Sequence, residues 1–440
     1  MKDSTRKGAH RTRFWLVLLT LVAILSLAAL SCGGDNEEKE ETPAGGATAA
    51  GGKTPAAGGG QLSIGILFDF TGDLAEFGPN MMNGAKLAAE EINDAGGVMG
   101  QDIVLKQADS QTSPTAAVDA ARQLVESDKV SAVVGSLSSG VTLAVAEAVT
   151  VPGKIIQISP ASTSPALTEV EDGDFLFRTT LSDAAQGLIL GKLAKELGYT
   201  KVATMYVNNA YGQGLSENFA LSFEAEGGTV TAQVPHEQEQ ASYLSELQKA
   251  TEGSPDAIAA LSYPQSATVY LKEGFENNLI KNVLFCDGTK SEDIIAAVGA
   301  DKLEGMEGTV SAAAETPTDW KAEFETRFGS LPPLPYIAES YDAVIMIALG
   351  AEKAQSTDPA KIRDAMRTLN DPSGEKVTSG AAGIEKALNL IHQGKAINYQ
   401  GASGFSGWDE NGDLPSGFIE IWKYEAGQIV TVRTEPVTVE

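Results

Sequence analysis

Between residues 61 and about 315 the chain alternates short apolar runs with longer stretches whose apolar residues recur at helical spacing. Ile64-Gly65-Ile66-Leu67-Phe68 reads as a buried strand. Ala85, Ala88, Ala89 and Ile92 then fall at i, i+3, i+4 and i+7, one face of a helix. A strand follows over 103–106. Ser113 before Pro114 offers an N-cap with proline at the first helical position, and Ala117, Ala121 and Leu124 continue that helix. Residues 130–135 and 155–158 read as strands with a helix between them. The alternation restarts at Ala184, with helices expected to Leu197, from Leu215, over 244–250 and over 268–277. Strands are expected at 202–207, 228–234, 257–262 and 282–286. Beyond about residue 315 the pattern is mainly helical and ends in hairpin-like runs at 418–424 and 428–432. Two successive blocks of alternating strand and helix imply an α/β chain with two doubly wound, mostly parallel sheets. The 380 residues after the first sixty exceed what one core usually supports, so two lobes are expected. Ligands of such sheets sit at the carboxyl ends of strands, and two facing sheets would hold one cleft between the lobes.

The first sixty residues follow neither pattern. Lys2, Arg6, Lys7, Arg11 and Arg13 form a basic start, and residues 14–30 are mostly apolar and carry no charge. Small residues follow at Ser31-Cys32-Gly33, which completes the parts of a secretory signal. The alternative is an uncleaved anchor, since seventeen residues lie at the short edge of a spanning helix. Residues 33–60 repeat Thr-Pro-Ala and Gly-Gly with nothing large to bury, the composition of a flexible tether about 30 Å in mean reach. The expected organisation is a signal peptide over 1–31 and a linker over 32–60.

Charge narrows the partners. The chain carries 59 acidic and 32 basic residues, a net charge of −27. Loss of residues 1–31 removes five basic residues and one acidic residue, leaving a net charge of −31. Such a field repels nucleic-acid phosphates and anionic headgroups, so neither nucleic acid nor a bare membrane surface is an expected partner. Two cysteines, Cys32 and Cys286, give no reason to expect a disulfide framework.

Catalytic motifs are missing. Beyond the signal the histidines are His236 and His392, neither with a second ligand at metal spacing. Gly135-Ser136-Leu137-Ser138-Ser139-Gly140 lacks nucleophile-elbow spacing, and Tyr211-Gly212-Gln213-Gly214 lacks the third glycine of a dinucleotide site. Asp409-Glu410-Asn411-Gly412-Asp413 has its glycine at the wrong loop position for calcium and reads as a hairpin turn. No catalysis, metal or cofactor is expected.

Polar residues at strand ends remain, each with two readings. Ser138 and Ser139 precede a helix, either as an ordinary N-cap or as a carboxylate station beside free N–H groups. Ala161-Ser162-Thr163 is either a turn, with Ser164 capping a short helix, or a second polar station. Asp287 ends a strand and is either a turn residue or the partner of an ammonium group. Phe77, Tyr211 and Tyr336 are core or pocket wall. Nothing in the sequence gives Asp287 a buried partner, so its removal is expected to leave folding intact.

Several of these stretches together resemble the leucine/isoleucine/valine-binding proteins, the amino-acid branch of the type I periplasmic binding proteins. The resemblance is carried by Ile64-Gly65-Ile66 with Thr71-Gly72-Asp73 and Phe77-Gly78, by Gly84-Ala85, Ile92-Asn93 and Gly96-Gly97, and by Val134 to Ser139. It continues through Ser159-Pro160-Ala161-Ser162-Thr163, Phe177-Arg178-Thr179, Tyr211 to Gly214, Asp287-Gly288 and Tyr399 to Gly404. It implies two discontinuous lobes, 61–180 plus 310–400 and 181–309 plus 401–440, joined by three crossovers. Ser139 and Thr163 would hold a ligand carboxylate. The Ala161 carbonyl, the Thr163 hydroxyl and Asp287 would take its ammonium, and Phe77, Tyr211 and Tyr336 would line the pocket. Ser138 and Thr112 stand where some relatives have a disulfide, so none is expected. Ser262 stands where branched-chain binders can carry an aromatic, which leaves side-chain preference open. Ala29-Leu30-Ser31-Cys32 resembles a lipobox, which would make Cys32 a lipid anchor and the membrane a partner through that anchor alone. The implied function is an extracytoplasmic, monomeric substrate-binding protein of an ABC importer. It would close on a small amino acid and meet permease subunits. A sensory ectodomain and a binder of amides or urea are the alternatives.

Overall fold

The computed structural model describes residues 60–439. The signal over 1–31, Cys32 and the linker up to residue 59 lie outside the described residues.

The first block of the chain runs β1 Ser63–Phe68, α1 Gly78–Asp94, β2 Val104–Asp109, α2 Pro114–Arg122, β3 Ala132–Gly135, α3 Ser139–Val145, α4 Val151–Gly153, β4 Ile156–Ser159 and β5 Leu176–Arg178. Its five strands are all parallel, in the order β2-β1-β3-β4-β5. The period of two in β1 sorts its side chains: Ile64, Ile66 and Phe68 enter the cluster with Met81, Ala85 and Ala88 of α1. Leu67 enters a second cluster with Ala117 and Ala121 of α2 and Val141 and Val145 of α3. Ser113 caps α2 as its sequence position implies, its hydroxyl accepting from Ala116 N–H.

The second block runs α5 Asp183–Glu196, β6 Lys201–Val207, α6 Ala210–Ala225, β7 Thr229–His236, α7 Leu244–Thr251, β8 Ala257–Leu261, α8 Pro264–Glu276, β9 Val283–Leu284, α9 Glu292–Val298, α10 Ala300–Leu303 and β10 Glu307–Ala312. Its four parallel strands lie in the order β7-β6-β8-β9. Helix α5 packs along α6, and a Cβ on Gly187 or Gly191 would run into Asn218 or Ser222 of that neighbour. Glycine there lets the two helix backbones approach.

The chain then returns to the first block with α11 Thr318–Phe328, α12 Ile337–Ala354, α13 Pro359–Met366, β11 Glu375–Thr378, α14 Ala381–His392 and β12 Ile397–Gln400. Helix α12 packs on α1 and is buried over nearly its whole length. The parallel pair β11–β12 was not expected, because four-residue runs at a surface carry little periodicity. The final strands, β13 Ser416–Glu425 and β14 Gln428–Thr438, form the expected hairpin. They join β10 in an antiparallel sheet, which meets β9 through a bridge from Phe285 to Gly308. The molecule is two-lobed α/β, each lobe built on a parallel sheet.

Three chain passages link the lobes, and buried charge fixes two of them. Arg178 at the end of β5 donates from Nε to Asp413 Oδ1 at 2.5 Å and from Nη2 to Oδ2 at 2.7 Å. Its other donors meet the Ser164 carbonyl at 3.0 Å and the Thr168 hydroxyl at 2.8 Å. Residues 409–413 form the expected turn, with Asp409 N–H donating to the Asp413 carbonyl at 2.9 Å, though no strand pair flanks it. Asp409 Oδ1 accepts from the Asn411 and Asp413 N–H groups, and the loop they form presents Asp413 to Arg178. The third passage is held by Asp342 of α12. It accepts from Tyr399 Oη, the Ala402 and Ser403 N–H groups and the Ser403 hydroxyl, at 2.6–2.9 Å.

Candidate functional site

In both sheets the strand order reverses beside the first strand, between β1 and β3 and between β6 and β8. That is where the carboxyl ends of doubly wound strands leave a crevice. On the first lobe the residues beyond β3 and β4 supply the walls. Ser138 is the N-cap of α3 and Ser139 its first residue, so free N–H groups of the first turn start here. Ser139 Oγ accepts from Ser164 N–H at 3.2 Å. Thr163 donates its hydroxyl to Asp183 Oδ2 at 2.9 Å, and its carbonyl accepts from Asp183 N–H at 2.7 Å. Ser164 caps the short turn Pro165–Leu167.

On the second lobe Asn209 caps α6, accepting from Gly212 N–H at 3.1 Å, which sets Tyr211 at the helix start. Tyr263 follows β8 and stacks on Tyr211 with ring centres 5.4 Å apart. Asp287 opens a single 3₁₀ turn after β9. Gly288 lies against the Ser262 carbonyl, where a Cβ would clash.

These elements meet at a cavity of about 20 Å³, room for about one water. Of the residues singled out from the sequence, Phe77, Ala161, Tyr211, Asp287 and Tyr336 line it. Leu74, Leu137, Tyr263 and Gly288 line it too and were not anticipated. Ser138, Ser139, Thr163 and Ser262 stand outside that lining. Ser138 Oγ accepts from Tyr263 Oη at 2.9 Å across the cleft. Ser262 pairs with His236 Nε2 at 2.6 Å and so faces into the second lobe.

Asp287 is the polar centre. Oδ1 accepts from Gln186 Nε2 at 2.8 Å and Tyr211 Oη at 2.7 Å, and Oδ2 accepts from Tyr336 Oη at 2.6 Å. The expectation that Asp287 has no buried partner is corrected: three donors surround it at 3 % exposure. Burial, then the Asp287 charge, pushes both tyrosines well above the usual phenol range, so they remain donors. Asp183, missed in the sequence, is raised well above the usual carboxylate range by burial and by Asp287 nearby. Tyr336 holds its hydroxyl in place from a left-handed backbone, φ 70°, a conformation rare for an aromatic residue.

The rim is also bridged. The Ser266 hydroxyl donates to Asp73 Oδ2 at 2.6 Å. Glu76 Oε1 accepts from the Glu292 and Asp293 N–H groups at 2.8 and 3.3 Å, and Oε2 from the Ser291 hydroxyl. A carboxylate of one lobe thus caps helix α9 of the other.

The arrangement offers an acid ringed by neutral donors and an apolar wall. Among the described residues no His/Cys/Asp/Glu group could hold a metal ion. The periplasmic binding protein family model matches residues 61–384. The chain belongs to the periplasmic binding protein family. Among the relatives of this binding protein is Leu/Ile/Val-binding protein homolog 3 of Brucella melitensis, 27% identical over 373 residues, 84% of this chain and 93% of the relative. A chemotactic signal transduction substrate-binding protein of Halobacterium salinarum is 27% identical over 386 residues, 86% of this chain and 89% of the relative. The fold is shared with a leucine binding protein from Thermotoga maritima, at TM-score 0.72 and 24% identity over 85% of this chain and 98% of that one. It is shared as well with a Streptococcus pneumoniae substrate-binding protein solved with isoleucine, at TM-score 0.71 and 23% identity over 86% and 100%. The resemblance read from the sequence is family membership, in the type I class. The protein is an extracytoplasmic solute-binding protein and not an enzyme. Among the described residues no helix is long and apolar enough to cross a membrane.

Proposed function

We propose that this binding protein captures a small amino acid, branched-chain or related, in the interlobe cleft and delivers it to the permease subunits of an ABC importer. Asp287 carries the reading: a carboxylate at a strand end, facing an apolar wall of Leu74, Phe77 and Leu137. An ammonium group there forms a charge-assisted pair, while a hydrocarbon side chain meets the wall. The carboxylate end would take Ser139, Thr163 and the first-turn N–H groups of α3. Ser138 and Ser262 shape the surroundings. Because the cavity admits about one water, a solute enters only when the lobes part, and closure on it is a hinge movement. Hinge closure around a ligand is the movement typical of periplasmic binding proteins as a class. We place the lobes at 61–180 with 310–400 and at 181–309 with 401–440, and a lipid anchor at Cys32 after removal of residues 1–31.

Names of relatives support the amino-acid class, since several of them, the Brucella melitensis relative included, are called Leu/Ile/Val-binding. The Halobacterium relative supports a second reading, in which the liganded form reports to a signalling partner. A thermal-shift screen of amino acids, amides and urea tests the ligand class. At a hundred times its Kd the ligand stabilises the protein by about 2.7 kcal/mol. An amide or urea raising the melting temperature, with no amino acid doing so, overturns the amino-acid assignment.

A further inference from the structure

A second chamber, of about 290 Å³, lies on the crossover side of Tyr336. Its walls come from both lobes: the end of β10 at Val310, Trp320 on α11, the 331–335 proline loop, the first turn of α12, and β13 and β14. Trp320, Leu334 and Ile429 make much of it apolar.

Its polar groups are nearly all committed. Lys290 Nζ donates to Glu420 Oε2 at 2.6 Å, with both side chains about nine-tenths buried. Glu420 Oε1 accepts from the Thr431 hydroxyl at 2.6 Å. Ser311 Oγ accepts from Leu181 N–H, and Ser403 Oγ donates to Asp342. Lys321 stands half exposed near Glu325. Glu339 is the exception. It is 4 % exposed, it lines the chamber, and the hydrogen bond its carboxyl receives comes from its own backbone N–H, with no cation paired to it.

A buried acid without a paired counter-charge is costly to ionise. Burial raises the Glu339 pKa to about 8, with Asp342 and Glu420 pushing the same way and Lys290 opposing them. A cation that enters the chamber supplies the missing counter-charge. An anion would have to displace Glu420 from Lys290, in a wall that also holds Glu339.

We propose that this chamber is a second binding site, for a small primary alkylammonium whose head meets the Glu339 carboxylate and whose chain lies on Trp320, Leu334 and Ile429. Binding releases the Glu339 proton to solvent as the ion pair forms. Because the walls belong to both lobes, the occupant favours the hinge geometry that holds them together.

Calorimetric titration of the full chain with n-butylammonium tests this, at pH 6.5 and 8.5 and in buffers of different ionisation enthalpy. The expected result is saturable binding, close to one proton released at pH 6.5, and roughly tenfold or more tighter binding at pH 8.5. Glu339→Gln keeps the shape and should weaken binding by roughly tenfold or more. Asp287→Asn in the cleft should leave it unchanged. Absence of saturable binding by the parent, no proton release, an unchanged affinity in Glu339→Gln, or a loss confined to Asp287→Asn each overturns the proposal. So does equal binding of butyrate. Asp183 beside the cleft also holds its carboxyl above the usual range, so where Glu339→Gln fails to fold, proton release that persists in Asp287→Asn supports the chamber and its loss there overturns the proposal. An amino acid that fails to bind the cleft bears on the importer reading and leaves this titration untouched.

Discussion

Glu76 touches nothing in the cavity, yet its removal should weaken ligand binding. Its two oxygens take the Ser291 hydroxyl and the N–H groups of Glu292 and Asp293 at the start of α9. Glu76→Ala leaves those donors to water and removes an acid from a positive helix end. Loss of a cap costs about 1–2 kcal/mol and the helix-end charge a further 0.3–1 kcal/mol. About 2 kcal/mol, roughly thirtyfold, is therefore removed from closure. Where the open form dominates the free protein, the apparent Kd rises by the same factor, since affinity scales with the closed fraction. Glu76→Gln separates shape from charge: Oε1 still accepts, and the amide can donate to Ser291 Oγ. It should stay within about threefold of the parent. Burial raises the Glu76 pKa in the clasped form. That form accordingly takes up a proton more readily than the released one, so acidification toward pH 5 should not open the clasp. Titration calorimetry with the best amino acid from the screen reads all three expectations. A Kd for Glu76→Ala within twofold of the parent refutes the reasoning.

Asp287→Ala should weaken amino-acid binding by about 2–4 kcal/mol and, because Gln186, Tyr211 and Tyr336 lose their acceptor, also lower the melting temperature; Asp287→Asn should retain part of both. Calorimetry and a melting scan together check it, and an affinity within twofold of the parent removes Asp287 from the site. Arg178→Met strands Asp413 beside the Thr168 hydroxyl and should cost about 3–5 kcal/mol in urea unfolding, whereas pairing it with Asp413→Leu should recover much of the loss. Glu91 on α1 is raised to about 9, by burial first and by Glu323 beside it. A raised folded pKa gives stability that is full below the ordinary glutamate value and lost as pH climbs toward 9. The urea midpoint should therefore fall between pH 6 and 9, and Glu91→Gln should flatten that slope.

The parallel cores were legible because their strands are continuous apolar runs and their helices keep a 3.6 period, as β1 and α1 show. Asp287 and Tyr211 were reachable for a related reason: they sit where a strand or cap ends, which the pattern marks. Tyr263 occupies the same kind of position, one residue beyond Ser262. Successive residues at a strand end point to opposite sides, and only coordinates tell which of the two faces the cleft. Asp183 and Gln186 carry no local mark, since they begin a helix whose partner is 101 residues away along the chain from Gln186. Asp413 had the composition of an ion-binding loop, but its cation is an arginine 235 residues distant in sequence.

The interleaving of the two lobes also governs how the chain is made. Strand β10 needs β13 beside it, and α1 stays without its cover until α12 exists. The first lobe is therefore incomplete until residue 354 has been synthesised, and the second until residue 425. Long-range pairing of this kind delays folding, because loop closure must precede the contacts that reward it. At roughly 5–20 residues per second, about 18–70 s pass with neither core sealed. A chain that must thread a membrane before it folds gains from that delay: its topology keeps the first lobe open until α12 has emerged and the second until the last hairpin has.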